Sequence, residues 1–340
     1  MAALAERSGL NPGELTRTDM FVHSASQRKT HIRVPQRKTI GRTKQLGRAL
    51  LGSILSPIYW LLAYRHQVPG LKFRKVCAGL AFRLLFARSE YISFAEIYRL
   101  LFWPLDSVRY FEFDFAWDAL SNLAIRDYLD VSSPRLFPIM LTLKKGQVHA
   151  ELMNPDVKDR APTADLVNAL GLDRRCNIHP CVITAASFEQ SSFDVVTSIS
   201  VVEHIPEDNL AVRKMWDLVR PGGRLLLTVP CAAEAREEYI DQDEYGLLAP
   251  NEDGFFFFQR YYDQELLERS FYSITGRPYR SAVYGEKIAG TYHRDQHSKR
   301  SDPNYPLWRE PYMMGREYRY FDTVSELPGV GVIAMEFVKA

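Results

Sequence analysis

Two neighbouring blocks of this 340-residue sequence decide its fold: residues 193–205 read FDVVTSISVVEHI, and residues 218–230 read LVRPGGRLLLTVP. The apolar runs Asp194–Ile199 and Arg224–Val229 are short, which is typical of buried strands. Between them, Asp208–Val219 has the pattern of a helix, and Pro221-Gly222-Gly223 provides a tight turn. The two blocks therefore predict a strand, a helix and a second strand of one parallel sheet.

The same alternation extends toward the N-terminus as far as Arg126. Strands are predicted at Tyr128–Val131, Gln147–Met153 and Asn177–Thr184. Helices are predicted from Leu136 to a stop at Gly146, and from Ala164 to a stop at Gly171. Strands that alternate with helices indicate an α/β fold, in which a mostly parallel sheet carries helices on both faces.

The two blocks, 193–205 and 218–230, resemble the class I S-adenosylmethionine (SAM)-dependent methyltransferases, and in particular methyltransferase type 11-like domains. The block 193–205 is similar to that family's fourth strand and the turn after it. The block 218–230 is similar to its glycine turn and fifth strand. The resemblance covers about 126–340, and Val332–Val338 suits the final antiparallel strand. It implies a Rossmann-like sheet of seven strands, with SAM as the cofactor.

A ligand site is expected at the carboxyl ends of the strands, where open parallel sheets bind their ligands. The loop at Ser132 and Ser133 follows the first strand and enters a helix, whose N-terminus favours an anion. Asp130 would orient this loop or meet an ammonium group. Asn154 and Asp156 follow the second strand, where nucleoside-binding folds bond ribose hydroxyls.

The sequence also departs from the family pattern around the cofactor. The first loop, residues 130–134, contains no glycine, and serine enters positive φ less readily than glycine does. Glu151 lies one residue before the usual acid of the second strand, and Thr184-Ala185-Ala186 replaces the acid of the third-strand loop. The predicted cofactor-binding residues are Asp130, Ser132, Ser133, Glu151, Asn154, Asp156, Thr184, Ser198 and Ser200.

His204 and Glu203 are the predicted catalytic residues. His204 follows the fourth strand on the ligand side, and the usual pKa of histidine suits a general base for an oxygen nucleophile. Glu203 would orient His204 or shape the pocket, and the alternative for both residues is a structural role in packing the turn. Some relatives bind a metal through Glu-x-x-Glu-His. Ser200 replaces the first acid here, and no metal is expected.

The segment 254–263 is predicted to form part of the acceptor pocket, with Arg260 and Tyr262 as substrate-binding residues. The alternative is a hydrophobic core stripe with polar ends. Asp263 is predicted to cap the helix that follows. Residues 285–306, which include His293 and His297, are predicted to form a mobile loop over the site.

The N-terminal third differs from the rest in charge. Residues 20–89 contain fourteen Lys and Arg but no Asp or Glu, although the net charge of the chain is only +2. Residues 1–45 are predicted to be a basic, disordered arm, and 46–125 a basic, apolar helical region. The uncharged run 49–64 fits an interfacial membrane anchor, a helix packed on the domain, or a short membrane span. An anionic membrane surface is the partner expected for residues 20–89.

These features predict a methyltransferase that acts on oxygen of a small-molecule, sugar or lipid-linked acceptor. Four dispersed cysteines and no recognisable signal peptide favour the cytoplasm, with possible attachment to the inner face of a membrane. A methyltransferase-like pseudoenzyme that acts as a scaffold is the alternative. Nucleic acid is not the expected acceptor, since Ser200-Val201-Val202-Glu203 stands where an (Asn/Asp)-Pro-Pro-(Tyr/Phe) motif would be.

Overall fold

The computed structural model describes residues 28–34, 41–87 and 90–340. The eight strands of its central sheet are β2 (Asp127–Val131), β3 (His149–Met153), β4 (Cys176–His179), β5 (Phe193–Ile199), β6 (Val219–Ala232), β9 (Arg280–Glu286), β10 (Tyr318–Phe321) and β11 (Val330–Val338). Their order across the sheet is β10-β9-β11-β6-β5-β2-β3-β4. The five strands β6, β5, β2, β3 and β4 are parallel to one another, and β11 is antiparallel to both β6 and β9. This confirms the predicted α/β class.

Two details of the sheet differ from the prediction. The sheet has one strand more than the seven expected, because β10 pairs antiparallel with β9 at the edge. The strand that was predicted to end at Thr184 is β4, and it ends at His179. Pro180 follows immediately, and proline has no N–H to continue the ladder.

Helices cover both faces of the sheet. They are α1 (Arg42–Arg65), α2 (Leu71–Ala87), α3 (Phe94–Phe102), α4 (Arg109–Leu120), α5 (Leu136–Lys145), α6 (Val157–Ala169), α7 (Asp208–Leu218), α8 (Gln264–Leu267), α9 (Ser273–Thr275), α10 (Thr291–Ser301) and α11 (Glu310–Glu317). As predicted, Asp263 caps α8 by accepting a hydrogen bond from Leu266 N. The region 285–306 was predicted to be a loop, and that prediction is wrong because α10 occupies half of it.

The N-terminal helices share one hydrophobic core with the sheet. Alternate residues of each strand face opposite sides, so Val195 and Leu226 face one core while Val196 and Leu227 face the other. The first of these cores continues without a break into α2 and α4, where Phe73 contacts Phe113 edge to face. The helical region is therefore built into the domain by burial of large aromatic side chains.

A small second sheet lies beside the main one. It has the order β1-β7-β8, formed by β1 (Arg28–Ile32), β7 (Arg236–Ile240) and β8 (Phe256–Tyr261). Strand β1 lies within the arm for which no regular structure was expected. Its backbone pairs in parallel with β7, from Arg28 opposite Arg236 to Ile32 opposite Ile240. Residues 1–27 and 35–40 of that predicted arm lie outside the described residues.

Candidate functional site

The loop after β2 adopts the conformation that glycine usually provides. Ser132 has φ +55°, in the left-handed region, although it is not glycine. Two hydrogen bonds hold it there, because its backbone N–H and its Oγ both donate to Met153 O, at 2.9 and 3.1 Å. Ser200, after β5, has φ +49° and donates its N–H to Thr228 O at 3.0 Å. The sheet thus imposes a glycine-like turn on serine at both strand ends.

A buried hydrogen-bond network stabilises this loop. Asp130 accepts hydrogen bonds from Ser133 N at 3.0 Å and from Thr197 Oγ1 at 2.6 Å, and burial raises the pKa of its carboxyl to about 6. Ser133 Oγ accepts from Ile199 N at 3.0 Å, and Ser198 Oγ donates to Val131 O at 3.3 Å. Asp130, Ser133 and Ser198 therefore position the loop and do not line a cavity.

A cavity of about 400 Å³ lies at the carboxyl ends of β2, β3, β4 and β5, and we call it the strand-end cavity. Five of the nine predicted cofactor-binding residues line it: Ser132, Asn154, Asp156, Thr184 and Ser200. Val182, Ile183 and Leu247 add apolar walls. Glu151 lies elsewhere, since its carboxylate pairs with His179 Nε2 and accepts from Asn177 Nδ2.

A larger cavity of about 960 Å³ adjoins the first, and we call it the arginine cavity because six arginines line it. Its walls include the small sheet, with β1 among its strands, and α10. The two cavities share four lining residues, Arg109, Ser200, His204 and Tyr245. A group bound in one cavity would therefore meet a group bound in the other beside these side chains.

His204 lies at this junction in a defined protonation state. Its Nδ1 faces the carbonyl oxygen of Phe258, so Nδ1 carries the proton and donates a hydrogen bond to that oxygen. The other ring nitrogen, Nε2, therefore carries the lone pair. The ring packs against those of Tyr245 and Phe258, and the side chain is 17% exposed. Burial, together with the charge of Arg109, lowers the pKa of His204 to about 4. The imidazole is therefore neutral at physiological pH.

Glu203 faces the arginine cavity beside His204. Its carboxyl is buried, with Oε1 at 3.8 Å from His204 Nε2 and Oε2 without a hydrogen-bond partner among the described residues. Burial raises the pKa of Glu203 to about 8, and the nearby Glu112 carboxylate adds to that effect. A neutral carboxyl group can donate a hydrogen bond to a ligand.

Sequence reasoning missed the buried carboxylate of Glu112, which joins α4 to the site. Glu112 accepts hydrogen bonds from Ser200 Oγ at 2.5 Å and from Thr228 Oγ1 at 2.6 Å. It also forms an ion pair with Arg109 at 2.5 Å. The available signal was an acid within the aromatic run 110–117. Such a run is expected to be buried, and a buried charge requires polar or charged partners.

The two predicted substrate-binding residues line neither cavity. Arg260 is buried between two acids, at 2.8 Å from Asp208 Oδ2 and 3.0 Å from Glu237 Oε1. Tyr262 is fully buried and donates its hydroxyl to Asp208 Oδ2 at 2.9 Å. From the same segment, Phe258 and Gln259 line the arginine cavity instead. Across the described residues, no group of three potential ligands is arranged to hold a metal ion.

The positive φ of Ser132 leads to a testable difference between two variants. We expect Ser132→Val to be about 1–3 kcal/mol less stable than Ser132→Gly, because a β-branched residue is strained in the left-handed region. Urea denaturation monitored by circular dichroism measures the difference. Ser187→Val, at an exposed position of negative φ, is the control and should change stability by under about 0.5 kcal/mol. Equal stability of the glycine and valine variants would contradict the assigned conformation.

Comparison with known proteins agrees with this architecture. A family model described as a methyltransferase domain matches residues 146–227. No curated protein matches the sequence significantly.

Among solved structures, geranyl diphosphate C-methyltransferase from Streptomyces coelicolor A3(2) is 11% identical, with 72% of this chain and 78% of that chain covered and a TM-score of 0.45. The StiE O-MT structure is 15% identical, with 76% and 81% covered and a TM-score of 0.43. The [4+2]-cyclase SpnF is 14% identical, with 67% and 79% covered and a TM-score of 0.41.

These three structural similarities are too weak to indicate a reaction. The family match spans β3, β4, β5 and most of β6, and the first three of these are among the four strands whose ends build the strand-end cavity. Strands β5 and β6 are parallel neighbours in one sheet, as the two sequence blocks predicted. Residues 146–227 are therefore similar to a methyltransferase domain, and the parallel sheet that contains them is of the kind that this similarity implies.

Proposed function

We propose that the protein transfers a methyl group from SAM, bound in the strand-end cavity, to an oxygen of an acceptor bound in the arginine cavity. The observation that carries this proposal is the position of His204 at the junction of the two cavities. A small molecule, a sugar or a lipid-linked compound is the proposed acceptor class.

The residues of the strand-end cavity fit the cofactor. Its volume of about 400 Å³ lies within the range of small-molecule sites, roughly 300–1,000 Å³. Asp156 accepts from Lys158 N through Oδ1, which leaves Oδ2 for a ribose hydroxyl. Val182 and Ile183 provide apolar surface for an adenine ring. When bound, SAM supplies a methyl group that its sulfonium has already activated.

The protein's own contribution is then to orient the acceptor and to accept a proton. His204 Nε2 carries the lone pair, and the Nδ1 bond to Phe258 fixes the ring. A base of low pKa is sufficient, because an alcohol oxygen becomes strongly acidic as it forms its bond to carbon. The neutral carboxyl of Glu203 can donate a hydrogen bond to the same acceptor.

Titration with SAM, followed by calorimetry, tests the cofactor site. We expect saturable binding, with Asp156→Asn weakening the affinity about tenfold because a charged acceptor is lost while the helix cap is kept. Asp173→Asn, on an exposed turn away from both cavities, is the matched control and should bind as the unchanged protein does. No binding at millimolar SAM would reject the enzyme in favour of the scaffold alternative.

We also propose that α1 and α2 place the enzyme on an anionic membrane surface on the cytoplasmic side. Leu50, Ile54 and Leu61 lie on one face of α1 and are 61%, 68% and 72% exposed. Lys72, Lys75 and Arg83 of α2 are exposed. Thr43–Arg65 is long and apolar enough to cross a membrane by composition, with 17% of its most apolar window buried. Apolar and basic side chains together favour an interfacial site.

Liposome flotation tests this membrane proposal. We expect binding to liposomes that contain 30% anionic lipid, and little binding to neutral liposomes. The triple variant Leu50→Glu, Ile54→Glu, Leu61→Glu should lose at least about 90% of the bound fraction, since roughly 2 kcal/mol of apolar burial is lost at each site. Leu210→Glu, at an exposed leucine of α7, is the control. Equal flotation of the triple variant and the control would refute the proposal.

A further inference from the structure

The lining of the arginine cavity carries an excess of positive charge. Six arginines line it, against three glutamates. The glutamates are Glu203, Glu238 and Glu244, and burial raises the pKa of Glu203 to about 8, so that this group is neutral at pH 7. The cavity is therefore more positive than a simple count of its charged residues indicates.

Three of the arginines have acidic partners within the protein. Arg28 pairs with Glu234 at 2.9 Å, Arg109 with Glu112 at 2.5 Å, and Arg236 with Glu238 at 3.9 Å. These pairs reduce the contribution of the three arginines to the local potential.

The other three arginines are Arg33, Arg294 and Arg300, and they form no ion pair with any acid of the described residues. Arg33 follows β1, whereas Arg294 and Arg300 lie on α10. Arg294 donates to the neutral hydroxyl of Thr291 at 3.3 Å, and the charges of Asp295 and Glu317 act on it without a direct ion pair. Arg33 and Arg300, from two separate elements, thus line one cavity without an acidic partner, and Arg294 lies beside them with partial compensation. Several guanidinium groups in one cavity can bind phosphate oxygens through paired N–H donors.

We infer that the acceptor carries a phosphate monoester or a diphosphate, which Arg33, Arg294 and Arg300 bind while its hydroxyl faces His204. A multiply charged anion is favoured over a single carboxylate, because three unpaired arginines line the same cavity. This inference rests on the proposed function and specifies its acceptor. It also assigns a role to β1, which brings residues of the basic N-terminal segment to the acceptor.

Calorimetric titration of the full chain with inorganic pyrophosphate tests the inference. We expect a Kd of about 1 mM or lower that rises with salt concentration. The double variant Arg33→Gln, Arg300→Gln should raise the Kd at least tenfold. Arg213→Gln, an exposed arginine of α7 outside both cavities, is the matched control and should leave the Kd unchanged within twofold. SAM titration of every variant reports separately on the fold and on the cofactor site.

The possible outcomes separate the two proposals. Pyrophosphate binding with a Kd of about 1 mM or lower that the double variant weakens at least tenfold, with SAM binding intact, supports the inference. SAM binding without pyrophosphate binding overturns it and leaves the proposed function in place. Pyrophosphate binding that survives in the double variant, or citrate binding of equal strength, also overturns it. Failure of the unchanged protein to bind SAM removes the proposed function itself.

Discussion

Replacing His204 with glutamine should lower the rate of methyl transfer by about 100- to 10,000-fold, the usual contribution of a general base. Glutamine can keep a hydrogen bond to Phe258 O through its amide N–H, but it has no basic lone pair. SAM affinity should change by less than threefold, because the substitution removes only the group that accepts the proton from the acceptor hydroxyl. Single-turnover formation of S-adenosylhomocysteine, with a small-molecule extract as the source of acceptor, measures the rate. His149→Gln, on the exposed start of β3, is the control.

The pH dependence provides an independent test of the same residue. The pKa of His204 is lowered to about 4, so the neutral, competent form predominates at every pH well above that value. The rate should therefore stay level from pH 7 to about pH 5 and fall only as the pH approaches 4. A half-maximal rate near pH 6.5 would show a solvent-exposed histidine and contradict the assignment. A His204→Gln rate close to that of the unchanged protein would do so as well.

Glu112→Ala is expected to lower the free energy of unfolding by about 3–5 kcal/mol, the usual cost of breaking a buried ion pair. The change leaves Arg109 without its acid and removes the acceptor for Ser200 Oγ and Thr228 Oγ1. Ser200 lines the strand-end cavity, so SAM binding should weaken in the same variant. Urea denaturation gives the stability change, and calorimetry gives the affinity.

A matched control tests whether removing any acid from α4 would lower the free energy of unfolding as much as Glu112→Ala does. Asp118 lies further along α4, where its contact to Lys72 at 3.9 Å joins two largely exposed side chains. Asp118→Ala should therefore cost under about 0.5 kcal/mol. A loss of less than about 1 kcal/mol for Glu112→Ala would mean that the buried network contributes little to stability.

Much of the central sheet was predictable because its signals are local. The strands around Val195 and Leu226 are short apolar runs, and Pro221-Gly222-Gly223 marks the turn between them. Apolar periodicity and turn residues reflect which faces must be buried, and they need no knowledge of distant partners. The end of β4 was predicted five residues too late, although Pro180 was a sufficient signal. The helix α10 was missed because its sequence is strongly polar and carries little apolar periodicity.

Local sequence patterns were sufficient to predict the α/β class, the two strand-forming blocks and the placement of His204 at a strand end, because each depends on neighbouring residues. The packing of the folded chain determined which of the polar residues face a cavity. It placed Asp130 and Ser133 beneath the loop, Ser132 at its surface and Arg260 between two acids. It also brought Glu112 and Arg33 to the site from 88 and about 170 residues away along the chain. Such contacts arise from the packing of distant elements, and no local pattern encodes them.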